Sequence, residues 1–177
     1  MDKLGKGFIQ VYTGNGKGKT TAAIGQVVRA AGFGLKSYFL MLMKEFPYNE
    51  IKSLERFNDL IEVVQVGKDD FVYKKELPSQ EEILKIRNSL EIFTEKMLSK
   101  KYDLLVLDEV FVSIYFGLLT IDDVLKIIKQ KPESVELILT GRYCPQEIID
   151  AADLVTEMKE IKHYYQKGIL SRRGIES

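Results

Sequence analysis

The chain has one cysteine (Cys144), one histidine (His163), four prolines and no tryptophan in 177 residues. A disulfide framework and a Cys/His metal cluster are excluded at once. Few prolines with an ordinary apolar fraction argue against a disordered chain. No excess of either charge exists, 26 basic against 26 acidic residues, so no global field points to nucleic acid or to a membrane surface. No apolar run approaches the ~20 residues of a membrane span, and the opening MDKLGKGF has no signal-peptide core. A cytoplasmic protein of one domain, 1–177, is expected, long enough to bury roughly two-thirds of its unfolded surface.

What is present is an alternation. FIQVYT, SYFLMLM, LIEVVQV, YDLLVLD and VELILT are short, β-rich apolar runs of the kind covered on both faces, and DLVTEM is a weaker sixth. Amphipathic segments separate them. After Pro78, Ser79 and Glu82 form a capping-box pair, and Ile83, Ile86, Leu90, Phe93 and Met97 follow as one helical stripe. Thr120 is expected to cap a helix carrying Val124, Leu125 and Ile128 inward, with Pro132 stopping it. Pro145 suits the first position of another helix. The pattern predicts an α/β fold, a mainly parallel six-stranded sheet with helices on both faces and right-handed crossovers. Its ligands belong at the carboxyl ends of the strands. The tail from Lys159 to Ser177, rich in basic residues, is either an ordered strap across the site edge or loose.

At the end of the first strand stands TGNGKGKTT, residues Thr13, Gly14, Asn15, Gly16, Lys17, Gly18, Lys19, Thr20 and Thr21. It nearly satisfies the phosphate-loop pattern G-x-x-x-x-G-K-[ST], with Thr13 in place of the first glycine. Glycines let successive backbone N–H groups curl around phosphate oxygens. The helix opening near Thr20 adds the positive end of its dipole. Lys19 is placed to neutralise phosphate charge and Thr20 to ligate Mg²⁺. The strand LLVLDEV ends in Asp108 and Glu109, two hard oxygen donors suited to Mg²⁺ near the loop. Arg142, in ILTGR, reaches a phosphate or covers the end of the sheet. His163 and Cys144 are read as structural.

Phosphate loops serve many activities. The partitioning ATPases carry an additional lysine at the loop's second position, which is Gly14 here. No Asn-Lys-x-Asp motif of a switch GTPase is present. A small enzyme acting on an ATP-like substrate remains, kinase-like activity and a nucleotide-dependent binding module being the alternatives.

TGNGKGKTTAA closely resembles the phosphate loop of the corrinoid adenosyltransferases, the cob(I)alamin adenosyltransferases of the phosphate-loop type. LVLDE resembles that family's VVLDE, TGRYCPQEIIDAAD its TGRGC…ILDLAD, and IKHYYQKGILSRRGIES its closing VKH…G…GI. The family's loop also lacks the first glycine. The resemblance implies a RecA-like fold, a homodimer, ATP and a reduced corrinoid as substrates, Mg²⁺, and an electron-donating reductase, a flavoprotein by expectation. It implies transfer of the 5′-deoxyadenosyl group of ATP to Co(I) with release of triphosphate. Lys19 would stabilise the leaving group; Thr20 and Glu109 would hold the metal, with Asp108 acting directly or through water. The family's Phe-x-Trp pair at the lower face of the corrinoid corresponds to Phe71 and Tyr73, with tyrosine for tryptophan. Relatives carry a longer leader over the site, whereas Phe8 already opens the first strand here. Closure of the corrinoid side is therefore expected to differ and to involve the C-terminal tail.

Overall fold

The computed structural model describes residues 4–46, 48–68 and 77–176. Six strands, β1 Ile9–Thr13, β2 Ser37–Leu42, β3 Ile61–Val66, β4 Leu104–Asp108, β5 Glu136–Thr140 and β6 Leu154–Glu157, form one sheet in the order β3-β2-β4-β5-β1-β6. Every pairing is parallel. The helices are α1 Lys19–Gly32, α2 Asn49–Leu54, α3 Gln80–Leu98, α4 Val110–Tyr115, α5 Ile121–Gln130 and α6 Gln146–Ala151. Among the described residues no helix is long and apolar enough to cross a membrane.

The period of two along each strand divides the core. Tyr38, Leu40 and Leu42 of β2 join Leu105 and Leu107 of β4 and Leu137 and Leu139 of β5 on one face. There they meet Ile86, Leu90, Phe93 and Met97 of α3, Val124 and Ile127 of α5, and Ile148 of α6. Phe39, Met41, Leu104, Val106 and Ile138 point the other way, against Ala23, Val27, Ala30 and Ala31 of α1. Both faces are covered, hence the unbroken apolar runs in the sequence. Of the two edge strands, β3 keeps Ile61 buried and packs Val64 and Val66 against the core, whereas the weakly patterned β6 is exposed along its length. An exposed strand gains little from apolar side chains, so the sequence signal of β6 is faint.

Local chemistry sets the helix ends. The Ser79 hydroxyl accepts from the Glu82 amide at 3.2 Å while Glu82 accepts from the Ser79 amide at 2.8 Å, a complete capping box for α3. Thr120 and Asp123 do the same for α5. Two details differ from the expectation. The stripe of α5 centres on Val124 and Ile127, leaving Leu125 and Ile128 only partly buried against the core. Pro145 is the extended residue capping α6 rather than its first helical residue.

Candidate active site

The loop between β1 and α1 is shaped by a wall. Gly14 and Gly16 both face the Met158 carbonyl beyond β6, where an added Cβ would come within 2.6 Å of that oxygen. The Gly16 amide donates to the same carbonyl at 2.6 Å, and the Met158 amide donates back to Thr13 at 2.8 Å. Only residues without a Cβ fit there. Thr13, the irregular first position, serves as a tie: its hydroxyl accepts from the Cys144 amide at 3.4 Å and joins the loop to the segment after β5. Gly18 is the left-handed cap of α1 and contributes no side-chain cap, so the first amides of the helix face the loop.

Lys19 is buried, and its ammonium donates to the carbonyls of Gly14 and Gly16 at 2.9 Å each. Burial pulls its pKa down; Arg142 adds to this, and Glu109 and Asp108 oppose it. An ammonium so placed is drawn to anions. Thr20 donates to Asp108 Oδ1 at 2.9 Å. Thr140, at the end of β5, donates to the same oxygen at 2.6 Å and accepts from the Glu109 amide at 3.1 Å. Lys44 donates to Asp108 Oδ2 at 2.9 Å. Asp108 is fully buried and thus held by three side-chain donors. Glu109 stands free of such a cage, with φ 59° at the head of α4. Burial raises its pKa, the Asp108 charge adding to the rise, while Lys44, Lys19 and Arg142 counteract it.

Lys44 is the residue that sequence reasoning missed. It stands two residues beyond the end of β2, and only the strand order, with β2 beside β4, brings it to Asp108. Burial works against its charge most strongly, but Asp108, Glu109 and Tyr48 together outweigh that and raise its pKa. Its ammonium also lies 4.9 Å from the centre of the Tyr48 ring.

A cavity of about 260 Å³ above the loop is lined by Gly16 to Thr21, Glu109, Arg142, His163, Ile175 and Glu176. Arg142 thus borders the loop, and the tail takes the strap form at this edge. Tyr164 and Arg172 both bond Glu176, and the Arg172 guanidinium lies 4.9 Å from the centre of the Tyr164 ring. His163 accepts from the Tyr165 amide at 3.1 Å and so caps the turn Tyr164–Lys167. Asn15, Lys17 and Thr21 are exposed along the loop. Burial pushes the Cys144 thiol up to about 12, which leaves it no thiolate character at neutral pH. Phe71 and Tyr73 lie outside the described residues.

Among the described residues no three His, Cys, Asp or Glu side chains converge into a metal cage. The donor chemistry nevertheless fits Mg²⁺. This ion takes one or two carboxylates, a hydroxyl, waters and phosphate oxygens rather than an all-protein shell. Glu109 and Thr20 supply such oxygens, and the caged Asp108 suits a contact through water.

The geometry agrees with what the chain is similar to. It is 31% identical to the corrinoid adenosyltransferase of Pseudomonas aeruginosa over 172 residues, covering 97% of this chain and 84% of that protein. It is 30% identical to the corrinoid adenosyltransferase CobA of Salmonella typhimurium over 172 residues, covering 97% and 86%. An uncharacterised protein of Nostoc sp. is 35% identical over 170 residues; 89% of this chain aligns, but it spans only 45% of that relative. In three dimensions the flagellar accessory protein FlaH of Methanocaldococcus jannaschii superposes with a TM-score of 0.59 at 12% identity, covering 87% of this chain and 72% of that one. That likeness concerns the RecA-like fold alone. Residues 5–177, the phosphate loop and the strap included, match the family of ATP:corrinoid adenosyltransferases BtuR/CobO/CobP, and the chain belongs to that family.

Proposed function

We propose that the protein transfers the 5′-deoxyadenosyl group of ATP to Co(I) of a corrinoid. The observation that carries this reading is a family match across residues 5–177 in a chain whose Lys19, Thr20, Asp108 and Glu109 converge beside one phosphate loop. In the reaction Co(I) attacks C5′ with an electron pair, the C5′–O bond breaks, and its pair leaves on the triphosphate oxygen. Cobalt ends as Co(III), and no proton has to move. That balance asks the protein for neither a base nor a nucleophile, and the partly buried Cys144 thiol is inert.

The protein's work is to orient C5′ and to stabilise the departing charge. Lys19, the loop amides and the start of α1 hold the phosphates; Arg142, on the rim, adds positive charge. Thr20 and Glu109 would hold Mg²⁺, which supplies further charge neutralisation on the triphosphate when bound. Asp108, fixed by Lys44 and Thr140, orients the Thr20 hydroxyl. Phe71 and Tyr73 are assigned to the corrinoid on resemblance. A cytoplasmic homodimer supplied with electrons by a flavoprotein reductase completes the reading.

The test is product analysis. ATP, Mg²⁺ and a chemically reduced corrinoid should give adenosylated corrinoid and triphosphate in equal amounts. ADP formed independently of corrinoid would overturn the proposal in favour of a kinase-like or hydrolytic enzyme.

A further inference from the structure

A second cavity, of about 300 Å³, opens beyond the ends of β2, β4 and β5, where Met43, Lys44, Glu109, Tyr115, Arg142 and Tyr143 contribute to its lining. Three of these residues hold a left-handed backbone: Met43 at φ 54°, Glu109 at 59° and Tyr143 at 65°. Lys100 is the one other non-glycine residue with positive φ among the described residues. Such strain persists only where the surroundings enforce it, and it gathers at functional sites. Tyr143 is the costliest choice, because a bulky side chain in this region is an outlier and glycine would sit there freely. The family motif TGRGC indeed has glycine in that place.

The Tyr143 ring stacks on that of Tyr115, centroids 4.4 Å apart and planes 29° from parallel. Yet the two residues remain 52% and 62% exposed. Rings that merely packed the domain would be covered; these line the cavity and keep about half of their surface open.

We propose that the Tyr115–Tyr143 stack is the platform for the adenine ring of ATP. The inference rests on the adenosyltransferase reading and adds the place of the base. Continuity supports it: Glu109 and Arg142 line both this cavity and the one above the phosphate loop, so a nucleotide gripped at Lys19 extends here. Size supports it too. The volume lies at the small end of the ~300–1,000 Å³ usual for ligand pockets, which suits a nucleoside. The neighbouring cavity of about 490 Å³ has a single ring in its described lining, Tyr48, and no stacked pair. Aromatic stacking needs a π face, which adenine brings and triphosphate lacks.

The experiment compares calorimetric titrations of the full chain with ATP and with inorganic triphosphate, for the unaltered protein, Tyr143→Gly and Tyr115→Ala. Tyr143→Gly removes the ring and relieves the backbone together, so it should fold; melting temperatures check this for both variants. The expected result is a loss of ATP affinity of roughly 5- to 150-fold, the equivalent of one base–aromatic stack, with triphosphate affinity unchanged. Unchanged ATP affinity with a raised KM for corrinoid would overturn the proposal and give the tyrosines to the corrinoid. Equal losses for ATP and triphosphate would overturn it as well. Failure of the unaltered protein to bind ATP would instead bring down the adenosyltransferase reading, and this inference with it.

Discussion

Two lysine–carboxylate pairs tie this sheet to its surroundings at nearly the same distance. Lys96 meets Glu62 at 2.8 Å near the amino ends of the strands, and Lys44 meets Asp108 at 2.9 Å at the carboxyl ends. Their surroundings differ. The side chains of the first pair are 31% and 36% exposed, those of the second 10% and 0%. Water screens the first and weakens it; the second carries a desolvation cost that attraction alone seldom repays. The teaching is that distance says little about purpose. A buried pair beside a phosphate loop, with Thr20 and Thr140 bonded to the same carboxylate, is better explained by what Asp108 must hold in place than by stability.

The comparison breaks most sharply at Lys44. Lys44→Ala strands the Asp108 charge in the interior and should cost about 3–5 kcal/mol in urea denaturation. Lys44→Met combined with Asp108→Leu should recover part of that stability while adenosyl transfer stays lost. A double variant with full activity would remove Asp108 from the site's workings. Lys19→Ala comes next. It should weaken triphosphate binding by roughly 1.5–3 kcal/mol, and an unaltered calorimetric affinity would refute its contact with phosphate.

Glu109→Gln should raise the magnesium requirement in assays of adenosyl transfer. It also separates pH regimes. Below its ordinary value of 4.5, Glu109 is protonated in both folded and unfolded chains, and the substitution is neutral. Above that value the unfolded chain releases the proton first, because burial and Asp108 raise the folded pKa. The wild type therefore loses stability as pH climbs through the folded pKa, and the variant does not. With a chelator present, the variant should be the more stable at neutral pH and the equal of wild type in acid; the reverse order would contradict the burial of an unpaired carboxyl. The smallest effect belongs to Glu62→Gln, expected to cost less than about 1 kcal/mol and to leave adenosyl transfer unchanged. A loss rivalling that of Lys44→Ala would erase the contrast between the two ends of the sheet.

The local parts of this design are legible in the sequence. The inner strands β1, β2, β4 and β5 announce themselves because both faces are buried, and the helix starts at Ser79 and Thr120 because their caps are complete within four residues. Gly14 to Thr20 reads as a phosphate loop because backbone curvature and a helix start occupy one continuous stretch. Lys44 and the Tyr115–Tyr143 stack escape because each depends on which strands are neighbours, and nothing local in MLMK or TGRYC tells that β2, β4 and β5 lie side by side. The stripe of α5 departs from its expected position for a related reason. In so short a helix, contacts with the sheet decide whether Ile127 or Ile128 is covered.

The wall formed by Met158 has a temporal side. β1 lies between β5 and β6, and the Ile9 amide bonds Asp153 across 144 positions of sequence. A chain growing on the ribosome displays Lys19 and every loop glycine early, long before their backing exists. Until β5 emerges, β1 has neither neighbour, and until β6 follows one of its edges stays open to wrong pairings. Stalled chains ending before Leu154 are thus expected to leave ATP unbound, and those that have released residues past Met158 to capture it. Nucleotide capture then reports that synthesis of the sheet is finished.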